Sequence, residues 1–351
     1  MRISKRGDNG GVELFRRRRW TLRRVAMWAG CLLIGALVAG ELGARYIVGL
    51  GDPPLFMLDP EIEYLLRPDQ KCRRFGHDYI VNSHSMRSEE FATVKPKGQL
   101  RVMVIGDSVV NGGGKIDQSE LATTLLQRGL AASLKRDVGE VVVGNISASS
   151  WGPPNQLAFV KKYGLFDADV LVIVSNSDDW DDVPGLEYIG SAWPRQKPWC
   201  ALQELIGVYG WKAVCKAIGR APEPPPPVRS ATHDEDIEQC RIAYGELIAL
   251  AQQHGAKVAV VQWLKKSELA AKPQPGYDAI LSWAKQANVP ALRVGTGAGL
   301  TVRDLFQPGD DVHPSASGHE MLAKLLETAV QQAVGSQDDS STPAGTKPPE
   351  K

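Results

Sequence analysis

Chains that cradle nucleotides, bind zinc or grip nucleic acid carry marks that this sequence lacks. The stretch RVMVIGDSVVNGGGK, Arg101 to Lys115, is rich in glycine. A phosphate-binding loop would nevertheless need its first glycine where Val109 stands and a Ser or Thr where Ile116 follows Lys115. No G-x-G-x-x-G fits the stretch either. Cysteine is scarce, five in 351 residues, and none has zinc-site spacing. Charge of one sign is missing as well, since 41 Lys and Arg face 40 Asp and Glu. Nine of those basic residues, against two acids, crowd the first 24 positions, which leaves 32 basic and 38 acidic side chains for the body. An acidic body is a poor partner for nucleic acid.

Long apolar runs are also few. The basic start leads into VAMWAGCLLIGALVAG, Val25 to Gly40, 16 uncharged residues followed by ELGARYIVGL. Arg23 and Arg24 can snorkel and the later apolar residues can sit at an interface, so residues 25–50 read as a transmembrane helix behind a cytoplasmic segment 1–24. A cleaved signal peptide with Val38-Ala39-Gly40 as its small-residue site is the competing reading, and a buried core helix a third. Either export reading puts the body outside the cytoplasm, in the periplasm. A lipoprotein signal at Cys31 is excluded, because most of the apolar run follows that cysteine. In a compartment that tolerates disulfides, Cys72, Cys200, Cys215 and Cys240 read as one or two bridges or as buried free thiols.

Beyond a turn-rich lead-in segment, 51–99, expected to drape over the main domain, periodic elements alternate. Strand-like RVMVI, EVVVGN, DVLVIV, KVAVVQW and ALRV are separated by helical stretches. The helical face Leu121, Leu125, Leu126, Leu130 and Leu134 is one; others fall near Gln156–Tyr163, Asp234–Gln253, Tyr277–Gln286 and Met321–Val330. Such alternation means an α/β fold with a parallel sheet covered on both faces. Residues 182–233 break the rhythm. With Trp180, this block brings Trp193, Trp199 and Trp211 together with the run PEPPPP, and reads as an insertion over the sheet's carboxyl edge, a lid or substrate wall, or else a surface excursion stapled by Cys200 and Cys215. The tail 336–351 has the composition of disorder.

Two short motifs carry chemistry. Ser108 lies two residues past the first buried strand, where open α/β sheets place ligands. DDVHPSASGHEML, Asp310 to Leu322, sets an aspartate three residues before a histidine, which can put a carboxylate behind the imidazole. A metal reading with Asp311, His313 and His319 lacks a shared helical face.

Gly106-Asp107-Ser108 after the first strand, with DVHPSASGH before the last helix, resembles the SGNH/GDSL hydrolases over roughly Leu100 to Val334. The resemblance implies a flavodoxin-like three-layer α/β/α sandwich spanning 100–335, with Ser108 as nucleophile, His313 as general base and Asp310 as its partner. There is no G-x-S-x-G, so the α/β-hydrolase pattern does not apply. In NISASSWG, Asn145 to Gly152, Ser150 takes the place of the family's oxyanion glycine, so the N–H groups of Ser108 and Ser150 would hold the oxyanion. After the third strand, NSDD puts Asp178 where the family has an amide-bearing asparagine; an ionised aspartate donates nothing. Asn176, through a shifted turn, is the alternative donor. Trp151 and Trp180 are assigned to the substrate wall.

The expected function is an exported, membrane-anchored serine esterase or O-acyltransferase. It would act on acyl groups, acetyl above all, of an envelope or secreted polysaccharide, without cofactor, metal or nucleic acid. The alternative is a catalytically weak partner of the same fold that binds glycan through the tryptophan-bearing insertion.

Overall fold

The computed structural model describes residues 10–133, 139–185, 193–220, 232–270, 273–294 and 301–335, with side chains from residue 21 onward. The proline run 222–227 and the tail lie outside the described residues.

The chain begins with helix α1, Gly10–Leu42, which runs into a wide turn at Gly43–Ile47. Thr21–Ile47 is long and apolar enough to cross a membrane, and none of it is buried against the body over its most apolar window. Two antiparallel hairpins follow, β1 (Phe56–Asp59) with β2 (Glu63–Leu66), and β3 (Gln70–Arg74) with β4 (His77–Val81). The second turns on Phe75 and Gly76, both at positive φ, the two-residue geometry whose twist suits paired strands. The lead-in segment is thus built into the body: Ile62, Leu65, Leu66 and Tyr79 are buried in the main core.

The body then runs β5 (Leu100–Gly106), α2 (Ser108–Asn111), α3 (Ala122–Ser133), β6 (Val141–Ser147), α4 (Pro153–Tyr163) and β7 (Val170–Ser175). The insertion supplies α5 (Ala201–Glu204), a wide turn over Leu205–Gly210, and α6 (Trp211–Ala217). After it come α7 (His233–Gln253), β8 (Lys257–Gln262), α8 (Lys266–Leu269), α9 (Ala279–Gln286), β9 (Ala291–Arg293) and α10 (Ala316–Gly335).

The five strands from β5 onward form one parallel sheet, ordered β6-β5-β7-β8-β9. This is the flavodoxin-like order, whose switch point lies between β5 and β7. Period-two alternation sorts the β-branched residues to two apolar layers. Met103, Ile105, Leu171, Ile173 and Val260 face α4, α7 and α9, whereas Val102, Val104, Val172, Val174 and Val261 face α3 and α10. Burying each such side chain is worth about 1.5–3 kcal/mol, which is why continuous apolar runs settle in a sheet covered on both sides.

All five cysteines are free thiols. The Cys200–Cys215 staple, one of the two readings of the insertion, fails because Cys200 caps the helical stretch that carries Cys215, about 20 Å away at 1.5 Å per residue and far beyond disulfide reach.

Candidate active site

Chain direction reverses at the carboxyl end of β5 through Gly106, where an added Cβ would lie 2.8 Å from the Val174 carbonyl oxygen of β7 and 2.7 Å from Val110. Only a glycine lets the two strands run this close. Asp107 then caps the one-turn helix α2, its Oδ1 accepting from Val109 N–H at 2.8 Å, and Ser108 opens the helix. Gly112, at φ 74°, ends it.

Facing this turn is the loop ahead of α10. Asp310 Oδ1 accepts from the N–H groups of Val312 and His313 at 2.8 and 2.9 Å, and Oδ2 accepts from His313 Nδ1–H at 2.8 Å. That leaves His313 Nε2 to accept from the Ser108 hydroxyl at 3.0 Å. Burial works to raise the Asp310 pKa, but the two N–H groups and the imidazole hold it below the usual carboxylate range. Trp263 Nε1–H, bonded to the Val312 carbonyl at 2.9 Å, steadies the loop from β8. The structure therefore brings together Ser108, His313 and Asp310, from two loops 205 residues apart in sequence. A hydroxyl bonded to an imidazole that is oriented by a carboxylate can give up its proton as the oxygen attacks a carbonyl.

The four residues expected around an oxyanion have distinct fates. Ser150 sits at φ 57°, the left-handed conformation a glycine would adopt without strain, and is exposed. The main-chain N–H groups of Ser108 and Ser150 have no hydrogen-bond partner among the described residues. Asn176 is not the free donor suggested by a shifted turn. Its amide N–H groups go to Asp107 Oδ2 at 2.8 Å and Asp179 Oδ1 at 3.1 Å, and its oxygen accepts from Asp178 N–H at 2.7 Å. Asp178 is more than half exposed and ion-pairs with Lys265. Its carboxylate is thus compensated, which the sequence did not announce.

Beneath the turn lies a group of acids. Burial pushes Asp107 up to about 6, against the pull of the Val109 N–H and of His313. Burial, then the nearby Asp107, raises Asp179 well above the carboxylate range. Asp182 is pushed up to about 8 by burial and by Asp107 and Glu63.

The two tryptophans assigned to the substrate wall part company. Trp151 is only 1% exposed and donates to the Tyr64 carbonyl at 2.9 Å, so it belongs to the core and the assignment is corrected. Trp180 is half-buried, edge-on to His233 with ring centroids 5.2 Å apart.

Sequence reasoning missed Arg87. Fully buried, it donates to the carbonyls of Asn111, Gly113 (2.6 Å) and Ile116 (2.6 Å), while its guanidinium lies 3.9 Å over the Tyr79 ring. It thereby fixes the Gly112–Gly114 turn behind Ser108 from the lead-in segment. His319 is likewise buried, its Nδ1 accepting from Ala122 N–H at 3.2 Å, and burial lowers its pKa to about 3. It is a structural acceptor at the start of α3.

Beside the Ser108 turn opens a pocket of about 750 Å³. Asn111, Gly113, Gly114 and Ser149 form its inner wall, β3–β4 supply Arg74, Phe75 and Tyr79, and the insertion contributes Trp199, Tyr209 and Lys212.

No protein-family model matches the chain, and no curated protein sequence matches it. Among solved structures it is similar to the psychrotrophic esterase EstA from Pseudoalteromonas sp., at 13% identity over 67% of this chain and 98% of that one, with a TM-score of 0.38. The acetyl xylan esterase AlAXEase is similar at 14% identity, over 66% of this chain and 100% of that one, TM-score 0.38. So is a Clostridium thermocellum family 3 carbohydrate esterase, at 14% identity, 67% and 98% coverage, TM-score 0.36.

Proposed function

We propose that this chain is a serine esterase or O-acyltransferase of the SGNH/GDSL type, anchored by α1 with its body outside the cytoplasm, in the periplasm. Its substrate class would be the acylated, above all acetylated, carbohydrate of an envelope or secreted polysaccharide. The observation that carries this reading is the chain of contacts Ser108 Oγ to His313 Nε2, 3.0 Å, and His313 Nδ1 to Asp310 Oδ2, 2.8 Å, at the switch point of a parallel sheet.

In the reaction, Ser108 Oγ attacks the acyl carbonyl carbon while its proton passes to His313 Nε2. The N–H groups of Ser108 and Ser150 receive the oxyanion. His313 returns the proton to the departing sugar oxygen, leaving an acyl-Ser108. Water or a second sugar hydroxyl, deprotonated by His313, then takes the acyl group, and His313 returns that proton to Ser108 Oγ as the acyl–oxygen bond breaks. Asp310 orients the imidazole and stabilises its charged form. The acyl carbohydrate class follows from the resemblance of the Ser108 and Asp310–His313 motifs to the SGNH/GDSL hydrolases, and the location from the apolar span behind a basic N-terminus.

A second reading, a glycan-binding partner with weak catalysis, is favoured by the commitment of the Asn176 amide to Asp107 and Asp179, which takes it from an oxyanion. Incubation with a serine-directed fluorophosphonate followed by peptide mass measurement separates the two. We expect an adduct on Ser108, absent from Ser108→Ala. No adduct at Ser108 would leave the binding reading.

A further inference from the structure

The insertion is fastened to the end of α1. Glu41 accepts from the N–H groups of Ala201 and Leu202, at 3.1 and 2.8 Å, and is itself held by Arg45 at 2.8 Å. Leu202 covers Gly40, and Ala44, Leu50 and Ala201 form a small apolar cluster of their own. On the body side, Glu204 accepts from Gly51 N–H at 2.8 Å and pairs with the buried Arg74. The helical stretch 201–217 therefore starts at the level where the apolar span ends.

One face of that stretch is bare. Ile206, Trp211, Val214 and Ile218 are 63, 54, 50 and 56% exposed. The wide turn makes them one stripe: Trp211 N–H bonds back to the Ile206 carbonyl, an i to i+5 step that stacks the two, and 214 and 218 follow at helical spacing. Trp199, 95% exposed, flanks the start of the stretch, and exposed Lys216 and Arg220 flank its end. At the end of α1 and in the turn that follows it, Leu42, Tyr46 and Ile47 are at least as exposed. The other side of the stretch, with Gly207, Val208, Tyr209 and Lys212, lines the pocket beside the Ser108 turn.

We infer that the helical stretch 201–217, with its C-cap Ile218, lies on the bilayer beside α1 as an interfacial helix, with Ile206, Trp211, Val214 and Ile218 seated at the headgroup and acyl boundary. An apolar stripe edged by tryptophan and cations is the composition such helices show, and anionic headgroups suit Lys216 and Arg220. Lipid is the occupant because the stripe continues the apolar surface of the span to which the helix is tied. The pocket then lies between the lipid surface and Ser108. This inference rests on the anchored reading proposed above.

The test uses the full chain in vesicles of phosphatidylethanolamine and phosphatidylglycerol, with Ile34, Trp211, Ile218 or Val334 replaced in turn by photoreactive benzoylphenylalanine. Val334 is exposed beside Lys257 at the start of β8, the end of the sheet opposite Ser108. We expect lipid adducts at 34, 211 and 218 to exceed those at 334 by about tenfold. Adducts at 34 without adducts at 211 and 218 overturn the interfacial helix and leave the anchor standing. No adducts at 34 overturn the anchor and the inference together, and crosslinks from 211 or 218 to a second copy of the chain assign the stripe to self-association.

Discussion

Asp107 accepts from the Asn176 amide across 2.8 Å, tying the turn after the first strand of the sheet to the turn after the third. The serine that follows Asp107 is thus referenced to two strands at once. The amide that a shifted turn would have turned toward an oxyanion is spent on this tie and on Asp179.

If Ser108, His313 and Asp310 act as a unit, Ser108→Ala and His313→Ala should each lower kcat for a small acetyl ester by about 10⁴ or more, without unfolding the domain. Asp310→Asn should cost about one or two decades less, since it orients the imidazole without transferring the proton. Steady-state hydrolysis alongside circular dichroism reads both. Retention of most activity in Ser108→Ala would assign the nucleophile elsewhere.

For Asp178 the ion pair with Lys265 changes what the motif alone suggests. An uncompensated carboxylate near developing negative charge would make Asp178→Asn a gain; a compensated one makes its effect small, within about tenfold. The sharper expectation is a cycle: Lys265→Ala should lower kcat at neutral pH, and the Asp178→Asn, Lys265→Ala double variant should recover much of that loss. Additive losses would show that the pair does not couple at the site.

Arg87 holds the carbonyls of Asn111, Gly113 and Ile116 with one planar fork. Arg87→Met would leave buried carbonyls without donors and should cost about 2–4 kcal/mol, seen as a lowered melting temperature. Arg87→Lys cannot reproduce the fork and should reduce kcat even where the fold survives. Unchanged kcat in Arg87→Lys would separate the turn's geometry from the reaction.

Stability should fall as pH rises through the neutral range. The folded chain keeps a proton on Asp182 up to about 8, whereas the unfolded chain gives it up near the ordinary carboxylate value. The proton's contribution is complete below about 4 and is lost as pH climbs to the folded value. Melting temperature should therefore decline between about pH 5 and about pH 9, and Asp182→Asn should flatten that decline. Equal slopes in both forms would place the titration on another group.

What was legible in the sequence followed from local pattern. Runs such as VLVIVS and KVAVVQ could only be buried strands, and Asp310 and His313 stand close enough in sequence to show their contact. The first lead-in hairpin was hidden because β1 and β2 are four residues each and β2 opens on Glu63, a non-glycine residue at positive φ. Arg87 and Lys265 act on groups up to 29 and 87 residues away, and no spacing rule reaches that far. Trp151 was misassigned because an aromatic residue beside a motif looks the same whether it faces substrate or core.

The gap of 205 residues between Ser108 and His313 also sets a time. Ser108 is synthesised well before His313, which sits on the loop that α10 secures against α3 and the sheet. On the proposed roles and export, a chain crossing a membrane unfolded would carry a serine with no base to activate it, and hydrolysis would begin only after α10 docked. Native contacts this distant form slowly and cooperatively. Inertness in transit would then be a property of the chain's connectivity and would need no inhibitor.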